Sequence, residues 1–191
     1  MGSYSRIARL AEHRGSGKAA ERWYGQALAA ADEEGGEPAA WIRAMIADFR
    51  IKTGDYGEAR IWLDQALDIV PEYYLVFGYL AEVERREGDL KAARAFLRKG
   101  VDRVRTPESM LRLADMETET GNDVAAETLR DLAIAQLEVA TAEGGQGHLR
   151  VLAEALLDRG EAPRALLMAA QDLELRQNYQ AHATMARALS A

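Results

Sequence analysis

Residues 54–67, GDYGEARIWLDQAL, are matched 34 positions later by residues 88–101, GDLKAARAFLRKGV. In both segments a glycine is followed by an aspartate and then by apolar residues at helical spacing. The glycine of this pattern recurs at Gly15, Gly54, Gly88, Gly121 and Gly160, and each of these has an alanine five residues later. An aliphatic–alanine pair lies eight residues before each of them, at Ile7-Ala8, Ile46-Ala47, Leu80-Ala81, Leu113-Ala114 and Leu152-Ala153. The chain is therefore an array of repeats, each 33 to 39 residues long.

Each repeat has the pattern of two helices joined by a tight turn. Apolar residues recur at helical spacing before the glycine, as at Leu80 and Val83, and after it, as at Ala59 and Leu63. The glycine suits the left-handed position that ends a helix, and the following aspartate suits the cap of the next one. The pattern predicts five helix pairs and one closing helix, at 4–13/18–32, 38–52/56–69, 72–86/90–104, 107–119/123–141, 147–159/162–176 and 179–190.

This pattern resembles the tetratricopeptide repeat family, whose units are about 34 residues long. The resemblance implies an all-α fold, a right-handed superhelical solenoid of antiparallel helix pairs forming a single domain over 4–191. We expect its repeats at approximately 4–37, 38–71, 72–105, 106–141 and 146–177. The helix 179–190 is expected to cap the array through Ala183, Met185, Ala186 and Leu189. Residues 1–3 look like a remnant of cloning.

Two repeats are longer than the others, and the extra residues fall in glycine-rich segments, DEEGGEP at 32–38 and AEGGQGH at 142–148. These segments form either flexible joints or lengthened helices. Pro38, Pro107 and Pro163 each fall at a predicted helix start, where the missing N–H is harmless. Thr106 is expected to cap the helix that Pro107 begins.

Composition limits the possible functions. The net charge of −7 and the pI of about 5.1 disfavour binding to nucleic acid or to an anionic membrane surface. No cysteine is present, and the three histidines, His13, His148 and His182, share no ligand spacing, so we expect no metal site or cofactor. Glu117 and Glu119 are expected on a solvated helix side, and no motif indicates an enzyme. No signal peptide follows the first residues; a cytoplasmic protein is favoured, and an exported form that has lost a leader stays open.

The resemblance implies that the first helix of each pair lines a concave face. A sixth aliphatic–alanine pair, Met185-Ala186, has no glycine after it. The residues that directly follow the six pairs are Arg9, Asp48, Glu82, Asp115, Glu154 and Arg187, which gives an acidic stripe closed by arginines. The same face is expected to carry Trp41, Leu75, Tyr79 and Leu111, with Arg85 and Arg86 one turn further on. These residues predict a groove for an extended or helical segment that bears basic residues. Alternatively, the acids are ordinary solvated surface, and Trp41 and Tyr79 pack between repeats.

We therefore predict a monomeric scaffold or adaptor that binds a protein or peptide and no nucleic acid. The alternative is a structural protein that assembles with itself through its ends. Tyr73-Tyr74 at a turn and the unpaired last helix favour that alternative.

Overall fold

The computed structural model describes residues 2–191, so Met1 of the expected cloning remnant lies outside the described residues. Within 2–191 the chain is all-α and contains no strand. The helices are α1 (Gly2–His13), α2 (Gly17–Glu34), α3 (Gly36–Thr53), α4 (Tyr56–Ile69), α5 (Tyr74–Glu87), α6 (Leu90–Arg103), α7 (Pro107–Glu119), α8 (Asp123–Ala142), α9 (Leu149–Asp158), α10 (Ala162–Leu175) and α11 (Tyr179–Ser190). None of them is long and apolar enough to cross a membrane.

The helices pack in consecutive pairs, α1 with α2 through α9 with α10, and α11 packs on both α9 and α10. The chain forms two compact units, of which the first ends at Val104 and the second is Arg105–Ala191. The single repeat domain over 4–191 and its right-handed course stay predictions.

The turns inside the second and third pairs are built as the sequence predicts. Gly54 ends α3 with a positive φ of 83°, and Asp55 then accepts a hydrogen bond from the Glu58 backbone N–H at 3.1 Å. Gly88 and Asp89 repeat this arrangement between α5 and α6. The predicted cap at Thr106 is confirmed, because its hydroxyl oxygen accepts the Ser109 N–H at 3.1 Å.

The two long repeats owe their length mainly to longer helices. Gly35, at a φ of 70°, is the single residue between α2 and α3. Helix α3 begins two residues earlier than predicted, so Pro38 lies inside its first turn, where no helical N–H partner is lost. Helix α8 extends through Ala142, and a short 3-10 helix, Gln146–His148, leads into α9.

The core of the first unit shows why the repeats keep a small–large–small spacing. Ala59, Leu63 and Ala66 of α4 are fully buried, and their cluster includes Phe77 and Leu80 of the following helix. The equivalent residues of α2 are also buried, at Ala20, Tyr24 and Ala27. The two alanines leave room for a neighbouring helix, and the large residue between them fills the space.

Two carboxylates of the second unit are buried, and for one of them the prediction from the sequence was wrong. Glu117 was expected on a solvated surface but is fully buried, and its carboxylate accepts a hydrogen bond from Asn122 Nδ2 at 2.9 Å. Asp172 is buried as well and forms an ion pair with Arg176. Both groups have partners, as the cost of burying a charge requires.

The closing helix α11 packs with a different side from the one expected. Its buried residues are Ala181, Thr184 and Ala188, whereas Ala186 and Leu189 are exposed. Met185 does contact the cluster formed by α9 and α10. The Thr184 hydroxyl donates to Glu154 Oε1 at 2.9 Å, and this bond joins α11 to α9.

Candidate protein-binding face

The predicted site residues of the first unit lie on two helices that contact each other, α3 and α5. Trp41 and Asp48 are seven residues apart on α3, so they share one side of that helix. On α5 the same spacing separates Leu75 from Glu82, with Tyr79 between them. We call the surface formed by these five residues the α3–α5 face.

The apolar part of the α3–α5 face is half-buried. Trp41 contacts two core clusters, one shared with α1 and α2 and one shared with α4 and α5. Leu75 and Tyr79 pack against the second of these clusters and keep part of their surface exposed. The three side chains therefore support the core and present apolar surface to solvent at once.

The carboxylates of this face are held in ion pairs with basic residues one turn away. Lys52 Nζ lies 2.5 Å from Asp48 Oδ2 and 3.3 Å from Glu12 Oε2. On α5, Arg85 Nε and Arg86 Nε donate to Glu82 at 3.1 and 2.7 Å. Partial burial opposes ionisation of Glu82, but these hydrogen bonds outweigh it and lower its pKa. The negative charge at both positions is therefore locally balanced.

The remaining predicted residues belong to the second unit. Leu111 is half-buried against a cluster that includes Leu152 and Leu156. Asp115 is exposed, and its carboxylate lies 3.4 Å from Arg130 Nη2. Glu154 is half-buried and accepts a hydrogen bond from Arg150 Nη1 at 3.0 Å, in addition to the one from Thr184. All four carboxylates of the predicted stripe thus have a basic partner.

Arg85 and Arg86 were expected on this face, but their ion pairs with Glu82 were not predicted, nor was the pair of Lys52 with Asp48. Lys52 follows Asp48 by four residues, and Arg86 follows Glu82 by four, which is the spacing that brings side chains together on a helix. This spacing is visible in the sequence and could have identified the pairs. The α3–α5 face is a patch of apolar surface bordered by ion pairs, and the charges of Asp48 and Glu82 in the predicted acidic stripe are balanced within their own helices.

The described residues show no arrangement that would bind a metal ion. Within 2–191 no group of three or more histidine, aspartate or glutamate side chains converges. The buried Tyr24 hydroxyl donates to Glu12, and burial together with that bond raises the tyrosine pKa. This hydrogen bond links α1 to α2.

No family model matches the chain, and no curated protein matches it. Solved structures do match the chain. A tetratricopeptide repeat protein of Thermus thermophilus is 22% identical with a TM-score of 0.63, covering 100% of this chain and 99% of that one. The chain has the tetratricopeptide repeat fold.

Two larger proteins contain the same fold. Human IFIT1, solved as a dimer with PPP-AAAA, is 17% identical with a TM-score of 0.56, covering 98% of this chain and 54% of that one. A chain of the APC/C Cut9–Hcn1 hetero-tetramer is 14% identical with a TM-score of 0.53, covering 97% and 35%. This chain thus spans about half and a third of their lengths. At these identities the likeness concerns the fold.

Proposed function

We propose that the chain is a non-catalytic scaffold that binds a segment of another protein on the α3–α5 face. The observation that carries this proposal is the apolar patch formed by Trp41, Leu75 and Tyr79. Each of these three side chains contacts the core and is still partly exposed to solvent. A protein with the same fold assembles with another protein in the Cut9–Hcn1 hetero-tetramer, which supports a role in protein interaction.

The chemistry of the patch suits an extended or helical segment with apolar anchors. Aromatic side chains that are already held by the core lose little conformational freedom when a ligand covers them. Such residues dominate binding energy at interfaces, where truncating one costs about 2 kcal/mol or more. Trp41 and Tyr79 are the two aromatic residues of this face, so we propose them as the principal anchors.

The bordering ion pairs give the ligand a modest preference for basic residues. A basic side chain of the ligand must compete with Lys52 for Asp48, and with two arginines for Glu82. Exposed pairs of this kind contribute about 0.2–1 kcal/mol, and salt weakens them. We therefore expect basic peptides to bind a few-fold more tightly than acidic ones, with the difference disappearing at high salt.

We further propose that the ligand of this face is protein and not nucleic acid. Nucleic-acid phosphates are bound by lysine and arginine side chains that are available to neutralise them. Lys52, Arg85 and Arg86 already have carboxylate partners within the chain. Labelled PPP-AAAA, the ligand present in the IFIT1 structure, tests this point by fluorescence anisotropy. We expect no saturable binding; saturable binding that Arg85→Glu and Arg86→Glu remove would contradict the proposal.

The binding face itself is tested with a displayed library of random 15-residue peptides selected on the full chain. Selected peptides are then measured against Tyr79→Glu and against Ile61→Glu, a control at an exposed position of α4. We expect Tyr79→Glu to weaken binding about tenfold or more and the control to leave it unchanged. Equal binding to both variants, or a library that yields no binder, would count against the α3–α5 face.

A further inference from the structure

The first helix exposes apolar residues at positions where the later repeats bury theirs. In the first repeat these positions lie four residues before, one residue before and two residues after Ala8, and are occupied by Tyr4, Ile7 and Leu10. The three residues are 37%, 38% and 48% exposed, respectively. In the second repeat Arg43 replaces the tyrosine and pairs with Asp32. The other equivalents are at most 5% exposed: Ile46, Phe49, Phe77, Leu80, Val83, Met110, Leu113, Met116, Leu149, Leu152 and Ala155. We call Tyr4, Ile7 and Leu10 the α1 face.

In the first unit, the second helix of the preceding pair covers these equivalent residues. Ile46 and Phe49 share a cluster with Ala20, Tyr24 and Ala27 of α2. The Tyr24 and Phe49 rings lie 5.8 Å apart. In the same way, the cluster of Phe77, Leu80 and Val83 contains three residues of α4, namely Ala59, Leu63 and Ala66. The α1 face therefore has the shape of a surface that a helix covers, and the fitting helix carries a small–large–small stripe at positions i, i+4 and i+7.

The charges around the α1 face are positive and are not balanced by the chain. Residues 2–26 carry five basic and two acidic side chains, in a chain whose net charge is −7. Both acids are already engaged, Glu12 by Lys52 and Glu21 by Arg50. Among the described residues, no carboxylate lies within ion-pair distance of any of the five basic side chains, Arg6, Arg9, Arg14, Lys18 and Arg22.

We propose that the α1 face binds a helix of another protein that presents a small–large–small apolar stripe flanked by acidic side chains. The stripe matches the packing of the later repeats, and the acidic flanks complement the unpaired cations. Arg14 directly follows the end of α1, and its backbone N–H donates to the Leu10 carbonyl at 3.2 Å, so it lies at the Leu10 end of the α1 face. This surface is distinct from the α3–α5 face and does not depend on it.

A second copy of this chain fits the α1 face less well. Its own small–large–small stripes on α2, α4 and α6 are buried within the fold and are not available to another molecule. A lipid surface also fits less well, because the Tyr4 ring is already stacked on Trp23, with ring centroids 5.9 Å apart, and is only 37% exposed. Tyr4, Arg22, Trp23 and Gln26 instead line a shared recess.

The chain itself supplies two matched probes. A peptide of residues 55–70 carries the stripe Ala59, Leu63 and Ala66 with four acidic and one basic side chain. A peptide of residues 89–104 carries the stripe Ala93, Leu97 and Gly100 with two acidic and five basic side chains. Both are synthesised with a lactam crosslink that stabilises the helix, labelled with fluorescein, and titrated with the full-length chain while anisotropy is recorded.

We expect the acidic 55–70 peptide to bind about tenfold more tightly than the basic 89–104 peptide. Leu10→Glu should weaken its binding about tenfold or more, whereas Leu189→Glu, at an exposed position of α11, should leave it unchanged. The double variant Arg6→Glu, Arg14→Glu should reverse the preference between the two peptides. Circular dichroism of the exposed-site variants checks that the fold is retained.

Four results would overturn the proposal. They are equal binding of the two peptides, binding that Leu10→Glu leaves intact, no binding of either peptide, and a preference that the double arginine variant does not change. In the third case two further measurements identify the true occupant. Association with phosphatidylserine–phosphatidylcholine vesicles that Leu10→Glu abolishes would assign the face to a membrane surface, and a concentration-dependent dimer that Leu10→Glu abolishes would assign it to a second copy.

Discussion

Replacing Leu63 with alanine tests the packing that defines the repeat. The Leu63 side chain is fully buried between two alanines of α4, and its cluster includes Phe77 and Leu80 of α5. Removing a buried leucine side chain costs the transfer free energy of its atoms plus that of the cavity left behind, together about 2–5 kcal/mol. Ile61→Ala on the same helix is the matched control, because Ile61 is 56% exposed and its loss should cost less than about 1 kcal/mol.

Tryptophan fluorescence during urea unfolding measures this difference in the first unit. All three tryptophans, Trp23, Trp41 and Trp62, lie before Val104, so their fluorescence follows that unit, whereas far-UV circular dichroism follows the whole chain. For a loss of about 2–5 kcal/mol and a slope of about 2 kcal/mol per molar urea, Leu63→Ala should lower the fluorescence midpoint by about 1–2.5 M. A midpoint close to that of Ile61→Ala would refute the account of how α4 covers α5.

Three further predictions concern a carboxylate, a cap and the closing helix. Because the pKa of Glu82 is lowered in the folded state, its carboxylate stabilises the fold above the ordinary glutamate pKa of about 4.3. That stabilisation is lost as the pH falls through the folded-state pKa. Glu82→Gln should therefore reduce the loss of stability on acidification, measured by urea titrations at several pH values. Thr106→Ala removes the cap of α7 and should cost about 1 kcal/mol by circular dichroism, whereas Thr106→Ser should retain most of it. Deleting residues 179–191 uncovers the cluster that contains Ala153 and Ala169. The deletion should lower the melting temperature and promote association, which light scattering detects. A deletion variant that stays monomeric with an unchanged melting temperature would show that α11 does not stabilise the second unit.

The features that sequence reasoning predicted well depend on local chemistry. Gly54 and Asp55 mark the end of one helix and the start of the next because a left-handed residue and an N-cap are required within a few residues of each other. Thr106 and Pro107 act in the same way at the start of α7. Leu63 is recognisable as a core residue because its helical spacing from Ala59 and Ala66 recurs in other repeats.

The features that sequence reasoning missed depend on tertiary packing. Glutamate is a residue type that is usually exposed. Nothing near Glu117 in the sequence indicates that it is fully buried with Asn122 as a hydrogen-bond partner. Likewise, the buried side of α11 includes Thr184, which donates a hydrogen bond to Glu154, thirty residues away in sequence. The position of Tyr73 in a turn favoured a role in self-assembly, yet its side chain is buried against the core and its hydroxyl lies 3.3 Å from Glu37 Oε1.

The candidate site falls between these two cases. Repeat spacing alone places Trp41, Leu75 and Tyr79 on the first helices, and the structure has them there as half-buried residues. Spacing also identifies Asp48 and Glu82, but their effective charge depends on the basic residues one turn further along. A stripe of like charges in a sequence therefore predicts a charged surface only where no oppositely charged residue one turn away on the same helix can pair with it.

The most direct test of the proposed binding face is an NMR chemical-shift map of the full-length chain titrated with a library-selected peptide. We predict that the shifts concentrate on the Trp41 indole N–H and on the backbone amides of α3 and α5 around Asp48, Tyr79 and Glu82. Helices α4 and α6 should change little beyond the residues that contact Trp41 and Leu75. Shifts that instead concentrate on α4 and α6, or that persist unchanged in the Tyr79→Glu variant, would contradict binding at the α3–α5 face.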